Sequence, residues 1–337
     1  MPEKIRLAHG FGGKLTQDLL DEIICPALSG HDKHEVTLDA AVLYNLDPPV
    51  VVSTDSFTVS PIFFPGGDIG KLSVAGTVND IAMMGGYTSY LSLSLIIEEG
   101  FDVEKLRTIM KSIGDTCRKV GAKVITGDTK VVEKGVIDGI FINTTGFGTR
   151  VLGPLGPEYI REGDVIIITG TIGDHGAAIM NARENLGFSH NLLSDCAPLA
   201  DMIVKTGKAA GGNLHALRDP TRGGLASTLN EFADDTGLQF VIEEDKLPVR
   251  REVGSFLEIL GLDVLTLANE GKALLFVAPE GVDTALAVLH DDPLGEDAVV
   301  TGHVEKASRG GRVLMETAIG TRRNIAMPIE AGLPRIC

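Results

Sequence analysis

Apolar positions along the chain switch repeatedly between a two-residue and a three-to-four-residue period, which predicts alternating strands and helices. Residues 36–43 and 50–54 carry the strand pattern. Residues 69–84 carry the helical one, with Leu72, Ala75, Val78, Ile81 and Ala82 on one side. Leucine and serine alternate through residues 90–97, the mark of a half-buried strand. Asp102 is placed to cap a helix whose apolar face is Leu106, Ile109, Ile113 and Cys117. Residues 123–126 and 140–147 read as further strands.

A Gly-Pro-Leu-Gly-Pro stretch at 153–157 punctuates the chain and sets the expected domain boundary. Beyond it a strand at 164–169 precedes helices at 177–184, 198–204, 224–233 and 251–260, with strands at 273–277 and 299–304. The expected fold is therefore α/β in two domains, residues 1–152 and 153–320. Residues 321–337, with two prolines and little periodicity, are predicted to form a flexible tail. No short-period repeat is visible.

The 337 residues hold 30 Lys plus Arg against 46 Asp plus Glu, a net charge of −16. So acidic a surface repels phosphate backbones and anionic lipid, which argues against nucleic-acid and membrane-surface partners. A small anion held locally by metal, glycines and a few lysines stays compatible with it. No stretch approaches the ~18 consecutive apolar residues of a membrane span, and the first ten residues carry no signal-peptide run. Cys25, Cys117, Cys196 and Cys337 lie far apart with no C-x-x-C pair, a pattern that fits a reduced cytosol and predicts a cytoplasmic protein.

Three of these cysteines read as inert small hydrophobes. Cys337 differs, because it ends the expected tail, where a free thiol oxidises readily unless it is used. Extended from Thr321, the tail spans about 50 Å at ~3.3 Å per residue, enough to enter a site on its own chain or on a partner. Arg335 is expected to favour the thiolate and the adjacent carboxylate to disfavour it.

Asp39, Asp55, Asp80, Asp128 and Asp219 fall where strands or helices meet loops. Each alone reads as a cap or turn residue, whereas several converging would hold Mg²⁺ and, through it, a polyphosphate. The run from Ala8 to Lys14 is glycine-rich but fails G-x-G-x-x-G at Leu15, and the stretch from Gly66 fails the P-loop pattern at Pro65 and Leu72. Any ATP site is thus of another kind. Gly173-Asp174-His175-Gly176 reads either as an anion-binding helix start or as a plain turn.

Nine segments in order carry a resemblance: His9-Gly-Phe-Gly-Gly13, Ser53-Thr-Asp-Ser56, Phe64-Pro-Gly-Gly67, Asn79-Asp80, Gly127-Asp-Thr-Lys-Val-Val132, Gly173-Asp-His-Gly176, Asp219-Pro-Thr-Arg-Gly-Gly224, Ala268-Asn-Glu-Gly-Lys272 and Pro334-Arg-Ile-Cys337. Together they resemble the HypE family of hydrogenase maturation factors, within the superfamily of aminoimidazole ribonucleotide synthetase and selenophosphate synthetase. The resemblance spans essentially the whole chain, and the terminal cysteine separates it from the superfamily's other members.

The resemblance implies a carbamoyl dehydratase in which Cys337 receives a carbamoyl group from the carbamoyltransferase HypF. ATP then drives dehydration to S-cyano, for delivery through a HypC–HypD complex as hydrogenase cyanide ligands. It also implies a homodimer joined through N-terminal strands. By the same resemblance Asp39, Asp55, Asp80 and Asp219 would hold Mg²⁺, while Gly10, Gly12, Gly13, Lys14, Asp128 and Thr129 would contact ATP. Glu270 is the expected base and Lys130 its orienting cation, with their roles exchangeable because a desolvated lysine also serves as a base. Two alternatives stay open from the residues themselves: a synthetase or kinase acting on a free small molecule, and a nucleotide-responsive scaffold whose tail docks partners.

Overall fold

The computed structural model describes residues 13–19, 21–22, 40–184, 192–328 and 335–337. Gly10, Gly12, Cys25, Asp39 and the start of the strand expected at 36–43 lie outside them. In chain order the first half comprises α1 (Lys14–Leu19), β1 (Ala41–Leu43), β2 (Val50–Phe57), β3 (Phe63–Phe64), β4 (Gly67–Asp68), α2 (Ile69–Met83), β5 (Gly86–Glu98), α3 (Val103–Val120), β6 (Lys123–Val132) and β7 (Ile140–Arg150). The second half comprises β8 (Val165–Ile168), α4 (Asp174–Glu184), α5 (Ala200–Ala210), β9 (Leu214–Arg218), α6 (Gly224–Thr236), β10 (Gln239–Glu243), α7 (Arg251–Leu260), β11 (Leu274–Val277), α8 (Val282–His290), β12 (Val299–Glu305), β13 (Arg312–Glu316) and β14 (Arg322–Ile325).

The first sheet runs β1-β2-β7-β5-β6, antiparallel except for the parallel pair β5 and β6. The alternation of residues 90–97 works as expected: Leu91, Leu93, Leu95 and Ile97 are buried, while the serines and Ile96 face outward. Asp102 caps α3 by accepting the Lys105 N–H at 2.9 Å.

Helix α2 departs from the one-sided pattern. Thirteen of its 15 residues are buried, because it lies between the first sheet and α5 of the second half. A helix apolar on all sides is a core helix, not a surface one. Glycines on β7 let it approach the sheet: a Cβ at Gly146 would sit 2.6 Å from Ile81 Cδ1 and 2.8 Å from Thr77 Cγ2. A buried polar pin sets its register. Thr144 Oγ1 donates to the Ser73 carbonyl at 2.9 Å, so Thr77 Oγ1 donates to Thr144 Oγ1 at 2.6 Å.

The second sheet is ordered β14-β13-β10-β12-β8-β11-β9. On one face α6 builds a core around Phe232, Phe240 and Phe276, with ring centroids 4.8–6.4 Å apart. The other face joins α5 and α8 in an apolar core that continues through α2 into the first sheet, with Ile336 and Cys337 as members.

The tail expectation is corrected at both ends. Arg322–Ile325 is a strand paired with β13, and residues 335–337 are packed. Only Ile325 of that strand is buried, so it leaves almost no periodic trace. Arg322 anchors it through 3.0 Å bonds to Glu305 and Glu316.

Gly146→Val should displace α2 from β7 and lower stability by about 1–3 kcal/mol. The check is the urea midpoint, which should fall with an unchanged slope.

Candidate active site

The chain's last three residues lie across the end of β2. Thr58 N–H donates to the Cys337 main-chain oxygen at 2.9 Å and Ser60 N–H to the Arg335 carbonyl at 3.1 Å. Arg335 turns to the sheet's outer face, where Nε donates to the Thr58 carbonyl at 2.8 Å, Nη1 pairs with Asp138 at 2.6 Å and the guanidinium covers Phe141. It does so at φ +54°, a region non-glycine residues seldom adopt. Arg335 is thus spent on the tail's anchorage, correcting the expectation that it favours the thiolate. That part falls to Arg222.

Cys337 turns to the inner side and is 7% exposed. Burial pushes its thiol upward, Arg222 opposes this, and Glu270, Asp55 and Asp219 reinforce it. Reciprocally, Arg222 is held protonated first by Cys337 and then by Asp55, Glu270 and Asp80. Its Nη2 lies 3.8 Å from Asp55 Oδ1. Glu270 is 3% exposed, which rules out a solvated residue beside Lys272. Burial raises its carboxyl well above the usual range, with Asp219, Asp55 and Asp195 adding to the rise, and its Oε1 is buried without a hydrogen-bond partner among the described residues. Burial also raises Asp219, to about 6, and raises Asp55.

Two asparagines bring these residues together. Asn269 Oδ1 accepts the Gly173 N–H at 2.8 Å and its Nδ2 donates to the Pro220 carbonyl at 3.0 Å. Three loops distant in sequence therefore meet at one side chain. Asn79, on α2, donates to the Ala197 carbonyl at 3.1 Å and accepts the Leu199 N–H at 2.8 Å, tying the first half to the second. Glu270 N–H donates to Asp195 Oδ1 at 3.0 Å, and Gly271 passes so close to Asp195 that an added Cβ would lie 1.9 Å from its carbonyl oxygen. Gly224, at φ +58°, opens α6 where a Cβ would meet the Leu265 and Leu267 carbonyls at 2.5 Å.

The sequence-predicted residues divide by place. Cys337, Glu270, Asp55 and Asp219 share one electrostatic cluster. Asp80 faces it through Arg222 and accepts Ser53 Oγ at 2.5 Å. Asp128, Thr129 and Lys130 stand apart on the exposed edge strand β6, where Lys130 pairs with Asp128 at 3.1 Å. Lys130 is in register with Ile96, and Ile96 with Phe141. That row crosses the outer face about 14 Å from the end of β2, at ~4.8 Å per strand. Gly13 accepts the first N–H groups of α1, and Lys14 pairs with Asp18 at 2.8 Å and feels Asp234. Asp234 lies twelve residues beyond Arg222, across the length of α6. Arg222, His175, Ser194 and Arg183 escape a sequence reading as site residues. Arg222 and His175 do stand inside quoted motifs, and that was the available signal.

Among the described residues no three His, Cys, Asp or Glu side chains group closely enough to hold a metal alone. Asp55 nevertheless raises the affinity of Asp219 for its proton, and a cation relieves such repulsion. Two hard carboxylates fit Mg²⁺, which takes one or two of them and completes its shell with water and phosphate oxygens.

Residues 38–150 match the AIR synthase related protein, N-terminal domain, and residues 161–314 its C-terminal domain. Carbamoyl dehydratase HypE of Rhizobium leguminosarum bv. viciae is 45% identical over 335 residues, covering 99% of this chain and 95% of that protein. A solved HypE–HypF complex contains a chain with TM-score 0.87 and 43% identity, over 92% of this chain and 99% of that one. HypE solved in complex with ATP gives TM-score 0.83 and 42% identity, over 99% of this chain and all of that one. The chain belongs to the AIR synthase related proteins and, among them, to the HypE family of carbamoyl dehydratases.

Proposed function

We propose that this enzyme, an ATP-dependent carbamoyl dehydratase of hydrogenase maturation, acts on its own last residue, converting S-carbamoyl Cys337 to S-cyano. The observation that carries the reading is the place of the thiol, inserted among Glu270, Arg222, Asp55 and Asp219. HypF is the carbamoyl donor and a HypC–HypD complex the cyanide acceptor.

The balance is RS–C(=O)NH₂ + ATP → RS–C≡N + ADP + phosphate + H⁺. The carboxamide oxygen takes the γ-phosphoryl group and ADP leaves. Nitrogen then loses its two protons, the C–O bond breaks with phosphate departing, and the third C–N bond forms. Phosphorylation is needed because an amide oxygen is otherwise a poor leaving group. The Glu270 carboxylate takes the N–H protons, in a site dry enough to raise its basicity. Arg222 balances charge gathering on the phosphorylated oxygen. Asp55 and Asp219, with Asp80 and Asp39, would hold Mg²⁺, which when bound neutralises phosphate charge.

Homodimer formation is part of this proposal. Nine of ten residues of β6 are exposed, with Val124, Ile125 and Val131 among the apolar ones at 42%, 59% and 68%. A long apolar edge strand is normally covered. A second copy seated there encloses Lys130, Asp128 and Thr129, where Lys130 meets phosphate or orients the carboxamide. The glycine run ending in Gly13 and Lys14 is assigned to closing over the nucleotide.

The deciding experiment is intact mass with peptide mapping after incubation with HypF, carbamoyl phosphate and ATP. A carbamoyl adduct on Cys337 that loses one water only with hydrolysable ATP is expected; ATP consumption with Cys337 unmodified would overturn the reading. Glu270→Gln should bind ATP normally yet slow nitrile formation by roughly 10²–10⁴-fold. In the wild type that rate should climb with pH as Glu270 ionises, well above the ordinary carboxylate range, and the glutamine variant should lack the rise.

Asp219 holds its proton more tightly folded than unfolded, so its stabilisation is present at low pH and lost as pH rises from about 4 to about 6. Asp219→Asn should therefore be more stable than wild type above pH 7 by roughly 2–3 kcal/mol, with the gain gone by about pH 4. Denaturant titrations at the two pH values check this, and ATP turnover should be lost in the same variant.

A further inference from the structure

The last three main-chain oxygens are all hydrogen-bonded, the outer two to residues 58–60 and the middle one to a side chain of the second half. The Arg335 carbonyl accepts from Ser60 N–H and from Arg183 Nη2 at 2.7 Å. The Cys337 main-chain oxygen accepts from Thr58 N–H and Oγ1. Between them, the Ile336 carbonyl lies 2.7 Å from His175 Nε2. A carbonyl only accepts, so Nε2 carries the hydrogen.

The other ring nitrogen is equally fixed. His175 Nδ1 lies 2.8 Å from Ser194 Oγ, and Ser194 Oγ already accepts the Cys196 N–H at 3.0 Å. Its hydroxyl hydrogen is thus free to donate to Nδ1. The ring is fully buried, edge-on to Phe64 at 5.6 Å, and its only N–H goes to the peptide link that carries Cys337. Ser194 is itself set by its N–H on the Pro65 carbonyl at 2.8 Å.

We propose that His175, oriented by Ser194, is a positioning residue that grips the Ile336 carbonyl and so fixes the inserted tail and the direction of the Cys337 side chain toward Glu270 and Arg222. Its hydrogen bonds go to Ser194 and the Ile336 carbonyl, so it acts through the backbone. Orientation of a reacting group is worth large factors in rate, and one hydrogen bond on the adjacent peptide plane sets that orientation here. The grip reads backbone, so it holds the tail whatever Cys337 carries. This inference rests on the dehydratase reading for its catalytic consequence, though not for the grip itself.

The test uses the full chain with His175→Ala, His175→Gln and Ser194→Ala. The first readout is alkylation of Cys337 by iodoacetamide, followed by peptide mass without any other protein. Loss of one buried hydrogen bond should speed labelling about tenfold in His175→Ala and less in Ser194→Ala. Glutamine, which keeps an N–H donor, should return it to within about twofold of wild type. The second readout is single-turnover nitrile formation from the carbamoylated chain: the rate constant at saturating ATP should fall about tenfold in His175→Ala with the half-saturating ATP concentration unchanged. Labelling unchanged in both alanine variants, or glutamine as defective as alanine, overturns the proposal. If His175→Ala does not fold, Ser194→Ala against wild type decides it. A wild-type chain that forms no nitrile sinks the dehydratase reading, while the labelling ratios still decide the grip.

Discussion

One guanidinium facing a thiol and several acids is the constraint on which the rest of the site depends. Arg222 sits in the fields of Cys337, Asp55, Glu270 and Asp80, and Asp219 joins them around the thiol. Arg222, with Arg218 beside Asp219, does not offset the loss of hydration there, so Glu270, Asp219 and Asp55 hold protons more tightly than exposed carboxylates do. The excess of acid is affordable only where a cation and charged substrate enter, and it supplies the one thing the proposed chemistry needs from a side chain, a carboxylate more basic than usual.

Neither half of the molecule holds this arrangement alone. Asp55 and Asp80 come from the first sheet and its helix α2; Asp219, Arg222 and Glu270 come from loops of the second. The seam is closed by α2, buried on nearly every side, and by Asn79, whose amide satisfies a carbonyl and an N–H of residues 197–199. Those backbone groups have no strand or helix to pair with, and leaving them unpaired when buried costs about 1–3 kcal/mol each. The seam and the site therefore form together.

The fold was largely legible because its main elements are strongly periodic. The Leu/Ser alternation of β5 and the capped, amphipathic α3 needed only local rules. Among what escaped the pattern, β9 and β10 are short and buried at four of five positions, polar residues included, and β14 buries only Ile325. In the site, Glu270, Asp219 and Cys337 stood in recognisable motifs. Arg222 did too, but its partners are set by Asn269 joining loops some 50 and 100 residues away, and no spacing rule encodes that. His175 stood in a segment that reads as a helix start or a plain turn and Ser194 in no motif at all, since their function lies in contact with the other end of the chain.

The tail shows why a segment without periodicity need not be loose. Besides the burial of Ile336 and Cys337, its hold comes from three main-chain oxygens and one arginine side chain, none of which leaves an apolar repeat. That mode of holding has a chemical corollary. A thiol buried beside acids keeps its proton and is a poor nucleophile, so in the proposed reaction the inserted position does not suit acceptance of a carbamoyl group. It suits the later step, in which sulfur is already substituted and water must be kept away. If the two steps make opposite demands on one sulfur, the tail must be able to leave, and a grip made of a few hydrogen bonds to the backbone is strong enough to orient the group and weak enough to release it.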